Sequence, residues 1–257
     1  MKCYDRPSPN FDERKDGAKP ELIILHYTAM DSAEAALDRL TDPTQAKKVS
    51  AHYLIDEKGN IYQLVDEEKR AWHAGVSSWM GKGDVNSRSI GIEISNRGSE
   101  PYTKEQLFAL TLLCKDIMHR HGITPENIIG HSDVAPDRKQ DPGEHFPWAK
   151  LSRHDIGAWP VVTAKDKFNA AAAAKSPKQL KQLFNEAGYG VNAFGKNKPR
   201  LKDIITAFQR HFEPEVFSDP AKKPGVATEE TVARLRAVAR MNSAALKKPD
   251  SGSAPAP

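Results

Sequence analysis

Apolar positions along this chain recur with two different periods, and the periods divide it into strands and helices. Glu21 to Tyr27 is a short, nearly continuous apolar run, which predicts a strand buried on both faces. His52 to Asp56 and Ile61 to Val65 flank Glu57-Lys58-Gly59-Asn60 and predict two strands joined by a tight turn. Ser89 to Ser95 alternates small or polar residues with Ile90, Ile92 and Ile94, and Asn127 to Gly130 adds a further short strand. Two stretches carry the helical period instead. Asp31 to Leu40 opens on Asp31 or Ser32 as a natural N-cap and stops before Pro43. Thr103 to His121 starts with a Thr103/Gln106 capping-box pattern, repeats apolar residues at Leu107, Leu110, Cys114 and Ile117, and meets Gly122 as a stop. Strands interleaved with helices predict an α/β domain, a central mixed sheet flanked by helices.

Beyond about residue 164 the strand period disappears. Lys178 to Ala187, Arg200 to Phe212 and Thr228 to Leu246 predict three amphipathic helices sharing one small core. The expected organisation is a domain over 1–164, a helical domain over 165–246, and a disordered Pro-, Ser-, Gly- and Ala-rich tail over 247–257.

Composition narrows the function classes. The 257 residues are 39% hydrophobic, which supports a core of ordinary size without disulfides or a structural metal. A net charge of +4 is too small to argue for nucleic acid. The surplus is local: residues 165–212 hold ten Lys or Arg against three acids, either a solvated face or a hold for an anionic polymer. Cys3 and Cys114 form no Cys-x-x-Cys pair, so any metal site must draw on His and carboxylates. No run is long enough to span a membrane. The first residues show no apolar signal core, which leaves a cytosolic protein, another export route or a removed leader. Oligomeric state leaves no mark in the sequence.

Eight of the nine histidines fall within residues 1–154, so the polar chemistry is concentrated in the α/β part. His26 ends the first buried strand, His131 follows the strand Ile128-Ile129-Gly130, and Asp141 lies in Arg138-Lys139-Gln140-Asp141-Pro142-Gly143. Two imidazoles and a carboxylate satisfy the protein share of a catalytic zinc site, which keeps one position open. A histidine at a strand end is equally at home as a hydrogen-bonded structural residue, and spacing alone does not separate the two.

Six ordered motifs separate them. His26-Tyr27-Thr28, Ser50-Ala51-His52-Tyr53, Trp72-His73-Ala74-Gly75, Ile90-Gly91-Ile92-Glu93-Ile94, Gly130-His131-Ser132-Asp133 and Arg138 to Gly143 together resemble the type 2 N-acetylmuramoyl-L-alanine amidases. The likeness runs from about His26 to Trp148, and Ser8-Pro9-Asn10-Phe11 with the extra helices is most similar to the AmiD branch. The resemblance implies one Zn²⁺ held by His26, His131 and Asp141, with Glu93 as the acidic catalytic residue and Lys139 as the catalytic lysine. It implies hydrolysis of the amide between N-acetylmuramic acid and L-alanine, with peptidoglycan or a muropeptide as substrate. It also favours the cell envelope or periplasm, against the missing signal core.

The chemistry is consistent with those residue types. Glu93 can take a proton from water and pass it to the leaving amine, and Lys139, two residues from Asp141 in an extended loop, can face the oxyanion. Candidate substrate contacts are His52, Trp72, His73, Asn86, Arg88 and Trp148, with packing or loop-ordering roles open for each; Trp79 is a further flat surface for a sugar or a peptide. Asp133 either bonds a ligand histidine or caps its own turn. Two other functions remain open: a peptidoglycan-binding module that does not cut, and a zinc hydrolase of different specificity such as an endopeptidase. Retention of all three ligand types argues against the first; only the family likeness argues against the second.

Overall fold

The structure, a computed structural model, describes residues 2–190 and 198–245; the tail over 247–257 lies outside the described residues. Eight strands are formed among them: β1 Cys3–Asp5, β2 Phe11–Glu13, β3 Leu22–Tyr27, β4 Tyr53–Ile55, β5 Ile61–Gln63, β6 Lys69–Ala71, β7 Ser89–Ile94 and β8 Ile128–Gly130. Six build a mixed sheet in the order β1-β5-β4-β7-β3-β8, while β2 and β6 pair separately. Within the main sheet β4 and β5 run antiparallel, and the other neighbours run parallel. The expected strands all form, slightly shorter than the apolar runs. The chain adds β1, β2 and β6, whose short, exposed or charged sequences carry no strand period.

The helices of the first part are α1 Ala33–Thr41, α2 Val85–Arg88, α3 Lys104–His121, α4 His131–Val134 and α5 Trp148–Leu151. Ser32 caps α1, accepting from the Ala35 N–H. Thr103 and Gln106 cap α3 reciprocally, and Gly122 ends it in the left-handed region at φ 66°. The second part holds α6 Ala164–Lys167, α7 Ala170–Ala174, α8 Pro177–Glu186, α9 Leu201–Phe212 and α10 Glu229–Ala245. The three expected long helices are present. Two short ones precede them: α6 opens on a Thr163/Asp166 capping box, and in α7 five consecutive alanines favour a helix without needing an apolar stripe.

Alternation along β3 explains why its sequence is apolar throughout. Ile23 and Leu25 join Ile90, Ile92 and Ile94 of β7 against Leu110, Leu113, Cys114 and Ile117 of α3. Leu22 and Ile24 point the other way and join Ile129, Val134, Phe184, Tyr189, Ile204 and Phe208 in a core shared with the second part. One face of the sheet is therefore covered by α3, and the other by helices from beyond residue 164 and, over β4, by α1. Cys3 is exposed and Cys114 buried, both as free thiols.

A shared core makes the two parts one cooperative unit. Phe208→Ala, at a fully buried position, is expected to cost about 3–5 kcal/mol in denaturant unfolding. Wild type and variant should each show a single transition at the same midpoint by far-UV and aromatic signals. Two separated transitions would mean that sheet and helices fold independently.

Candidate active site

The same alternation selects where polar side chains emerge. His26 continues the Leu22, Ile24 face of β3, and the parallel register sets it beside Glu93 of β7. Both side chains thus lie on the face roofed by the second part. His131 begins α4 directly after β8, the neighbour of β3 on its other side. Asp141 comes from the following loop, tied to this turn where Ser132 N–H donates to the Asp141 carbonyl at 2.9 Å.

These segments bring three donor atoms together. Asp141 Oδ2 lies 2.8 Å from His26 Nδ1 and 2.9 Å from His131 Nδ1, and all three residues are buried. Ligand atoms of this trio lie within 4.8 Å of one another. Among the described residues it is the group of His, Cys, Asp and Glu side chains that could hold a metal ion.

The surroundings favour the protonation states that a metal needs. His131 Nε2 faces the Ala74 carbonyl at 3.2 Å and must donate to it, so Nδ1 of the neutral ring is the lone-pair nitrogen. That bare nitrogen faces a carboxylate oxygen, an arrangement that a cation among the three atoms stabilises. Burial, with His131 close by, lowers the His26 pKa to about 4 against the pull of Asp141, so its imidazole is neutral at physiological pH. Burial opposes ionisation of Asp141, yet positive charge and hydrogen bonds from His131 and His26, when a proton lies between ring and carboxylate, hold its carboxyl well below the usual carboxylate range; a cation bound there would do the same. Neutral imidazoles and an ionised carboxylate fit a divalent cation of the zinc type.

His73 stands behind His26. When His26 offers Nδ1 as a lone pair, its Nε2–H donates to His73 Nδ1 at 3.0 Å; His73 Nε2–H then donates to Ser89 Oγ at 3.2 Å, and Ser89 donates to the Val85 carbonyl at 2.6 Å. The ring lies so close to β7 that a Cβ at Gly91 would come within 2.5 Å of it, and only glycine leaves that space. Arg138 donates to the carbonyls of Ala74 and Val76 and so fixes the loop that His131 contacts.

Glu93 Oε2 is buried and has no hydrogen-bond partner among the described residues. Burial, with Asp141 nearby, raises its pKa well above the ordinary value, and the charge of Lys139 works in the opposite direction. Lys139 is half-buried and also acts electrostatically on His26, so its ammonium belongs to the same cluster.

The structure sends several expected substrate contacts into packing. His52 is fully buried: Nδ1 accepts from Gly91 N–H at 2.9 Å, and Nε2–H donates to the Lys69 carbonyl at 3.1 Å. Asn86 is buried and its Oδ1 accepts from the backbone N–H groups of His73 and Ala74. Arg88 is spent on Glu21 and the carbonyls of Trp79 and Lys82. Trp148 is buried between Phe146 and His211, and Trp79 is buried against Tyr189. Of the two roles the sequence left open for each, the structure displays packing, and the cause is shared: these polar and aromatic groups satisfy partners created by the fold. Trp72 keeps partial exposure, its Nε1–H donating to Asp12, and His73 is likewise half-buried. Asp133 caps its turn, accepting from Gly130 N–H at 2.8 Å, rather than bonding a ligand histidine. Sequence reasoning missed the Ala74 carbonyl, Ser89 and Arg138, because a backbone acceptor leaves no residue-type signal and a serine or arginine leaves a weak one.

A buried donor cluster of this kind, beside an unpartnered carboxyl at the edge of a mixed sheet, defines the class: a hydrolase built round a metal-binding site. A family model described as N-acetylmuramoyl-L-alanine amidase matches residues 16–144. The N-acetylmuramoyl-L-alanine amidase AmiD of Escherichia coli (strain K12) is 39% identical over 219 residues, 78% of each chain. The 1,6-anhydro-N-acetylmuramyl-L-alanine amidase AmpD of Haemophilus influenzae is 37% identical over 164 residues, 58% of this chain and 89% of its own. The solved complex of Escherichia coli AmiD with anhydro-N-acetylmuramic acid-L-Ala-D-gamma-Glu-L-Lys aligns with TM-score 0.71 at 37% identity, over 89% of this chain and 93% of that one. AmpDh3 from Pseudomonas aeruginosa aligns with TM-score 0.74 at 32% identity, over 89% of this chain and 94% of that one. The chain belongs to the N-acetylmuramoyl-L-alanine amidase family.

Burial of neutral His52 has a consequence for stability. Burial, then the nearby Arg14, lowers its folded pKa from 6.5 to about 3. Below 6.5 the unfolded chain binds the proton and the folded one does not, so stability falls as pH drops from 6.5 towards 3, by about 1.4 kcal/mol per pH unit. In urea titrations of the metal-free protein, His52→Asn should be less stable at neutral pH and show a shallower acid decline. An unchanged slope would show that His52 takes up protons equally in both states.

Proposed function

We propose that this protein is a zinc-dependent amidase that hydrolyses the bond between N-acetylmuramic acid and L-alanine in peptidoglycan or its muropeptides. The observation that carries this reading is the convergence of His26, His131 and Asp141 beside Glu93 on the neighbouring strand. Family membership supports the choice of bond, and the muropeptide bound by the AmiD relative supports the substrate class.

In the proposed reaction water adds across the amide. The carbonyl carbon gains an oxygen, the C–N bond breaks, and the nitrogen leaves as the amine of L-alanine with a proton it did not have. Zinc held by His26, His131 and Asp141 would supply a Lewis acid that polarises the carbonyl and brings the pKa of water towards about 7. Glu93 takes the proton from the attacking water and delivers it to the departing nitrogen, and the nearby Lys139 charge favours the ionised form that starts the cycle as base. Lys139 sets its ammonium against the negative charge that develops on the carbonyl oxygen. His73 and the Ala74 carbonyl orient the two ligand imidazoles. Trp72 and His73, the half-exposed members of the candidate set, are the proposed contacts with substrate.

We further propose the division into a catalytic part over 1–164 and a helical part over 165–246 that helps hold polymeric wall through its basic surface. Wall polymer as substrate puts the protein in the cell envelope. Among the described residues no helix is long and apolar enough to cross a membrane.

Two variants and one product analysis test the reading. His131→Ala should lose bound zinc. Glu93→Ala should keep zinc and lose about 10²–10⁴-fold in turnover. Mass spectrometry of digested muropeptides should find intact stem peptides that begin with L-alanine. Shortened stems still joined to muramic acid would identify an endopeptidase instead, and full turnover by Glu93→Ala would remove its assigned role.

A further inference from the structure

The helices beyond residue 164 reach both loops that carry the metal ligands, through side chains that the catalytic reading leaves unused. Asp133 lies two residues after His131 and is 1% exposed. Its carboxylate accepts three hydrogen bonds: from Gly130 N–H at 2.8 Å, from the Tyr189 hydroxyl at 2.6 Å, and from His211 Nδ1–H at 2.8 Å. The first bond closes the turn that aims His131. The other two come from the second part, so the anion that shapes this turn depends on the helices for two of its three donors. A buried carboxylate deprived of donors is left unsatisfied, and any shift towards new partners loosens the turn.

His211 is well placed to fix that anion. It is stacked between Trp148 at 3.9 Å and Phe212 at 3.8 Å, with interplanar angles of 19° and 5°. Its Nε2 is buried without a partner among the described residues, so a ring with its proton on Nδ1, facing Asp133, is the form that strands no buried N–H. The preceding residue on α9, Arg210, donates to Glu144 at 2.9 Å and lies over the Phe217 ring at 4.8 Å. Glu144 is three residues after Asp141. Consecutive residues of one helix thus brace the His131 turn and the Asp141 loop, on the sheet face that bears His26 and Glu93.

We propose that Tyr189 and His211 are positioning residues of the metal site, acting through Asp133 on His131. The helical part is then a brace for the active site, beyond any hold it has on the wall. This inference rests on the zinc reading of His26, His131 and Asp141.

Zinc affinity of the full chain, measured by competition with a chromophoric chelator, tests it. His211→Phe keeps the aromatic stack and removes the donor; Tyr189→Phe removes one hydroxyl. Each should weaken zinc binding by about tenfold. His211→Asn, which offers an amide N–H near the Nδ1 position, should recover most of the loss. Leu235→Ala, a core change in α10, should lower Tm and leave the zinc Kd unchanged. If His211→Phe does not fold, Tyr189→Phe carries the test. Wild-type zinc affinity in both phenylalanine variants, or an equal loss in Leu235→Ala, would overturn the inference while leaving the zinc reading intact. A wild-type chain that binds no zinc would overturn both.

Discussion

Three polar groups almost wholly buried have to satisfy one another at the edge of this sheet, and the rest of the molecule is arranged around that demand. An isolated carboxylate taken into the interior takes up a proton rather than stay charged. Asp141 is held well below the usual carboxylate range where a proton on His26 Nδ1 or His131 Nδ1, 2.8 and 2.9 Å away, answers its charge, and a bound cation would take that proton's place. The same burial keeps His26 neutral, with its pKa lowered to about 4. Desolvation and close approach together gather a set of donors suited to a cation.

Holding such a set together is the work of a second layer of bonds. The Ala74 carbonyl selects the tautomer of His131, and the chain through His73 and Ser89 ends on the Val85 carbonyl behind His26. Asp133 closes the turn that begins with His131 and is itself held by Tyr189 and His211. These contacts are buried or half-buried hydrogen bonds, and removing any one strands a polar group in a place where water cannot replace it. The site's rigidity and the polypeptide's stability therefore come from the same interactions.

The helical part illustrates how a fold changes the meaning of a sequence segment. By composition it is a basic, three-helix companion. In the structure its apolar residues share a core with Leu22, Ile24, Ile129 and Val134 of the sheet domain, and Arg200 and Arg210 are paired with Asp203 and Glu144. Part of the positive surplus that reads as a free surface is thus spent within the molecule. The histidine count, with eight of nine within residues 1–154, pointed away from this segment, yet His211 reaches Asp133.

Apolar period alone determined the main strands and long helices, because a strand buried on both faces and a helix buried on one leave unmistakable patterns, as Glu21 to Tyr27 and Thr103 to His121 do. Ordered motifs such as Gly130-His131-Ser132-Asp133 determined the family and nominated His26, His131, Asp141, Glu93 and Lys139. Tertiary structure alone decided that Glu93 lies in register beside His26, that His73 backs His26, and that His52, Asn86, Arg88 and Trp148 are occupied with packing. It also decided that Tyr189 and His211 meet Asp133 across more than fifty residues of chain. The physical reason is that residue type states which bonds a side chain is able to make, whereas register and packing choose its partner from everything the folded chain brings within reach.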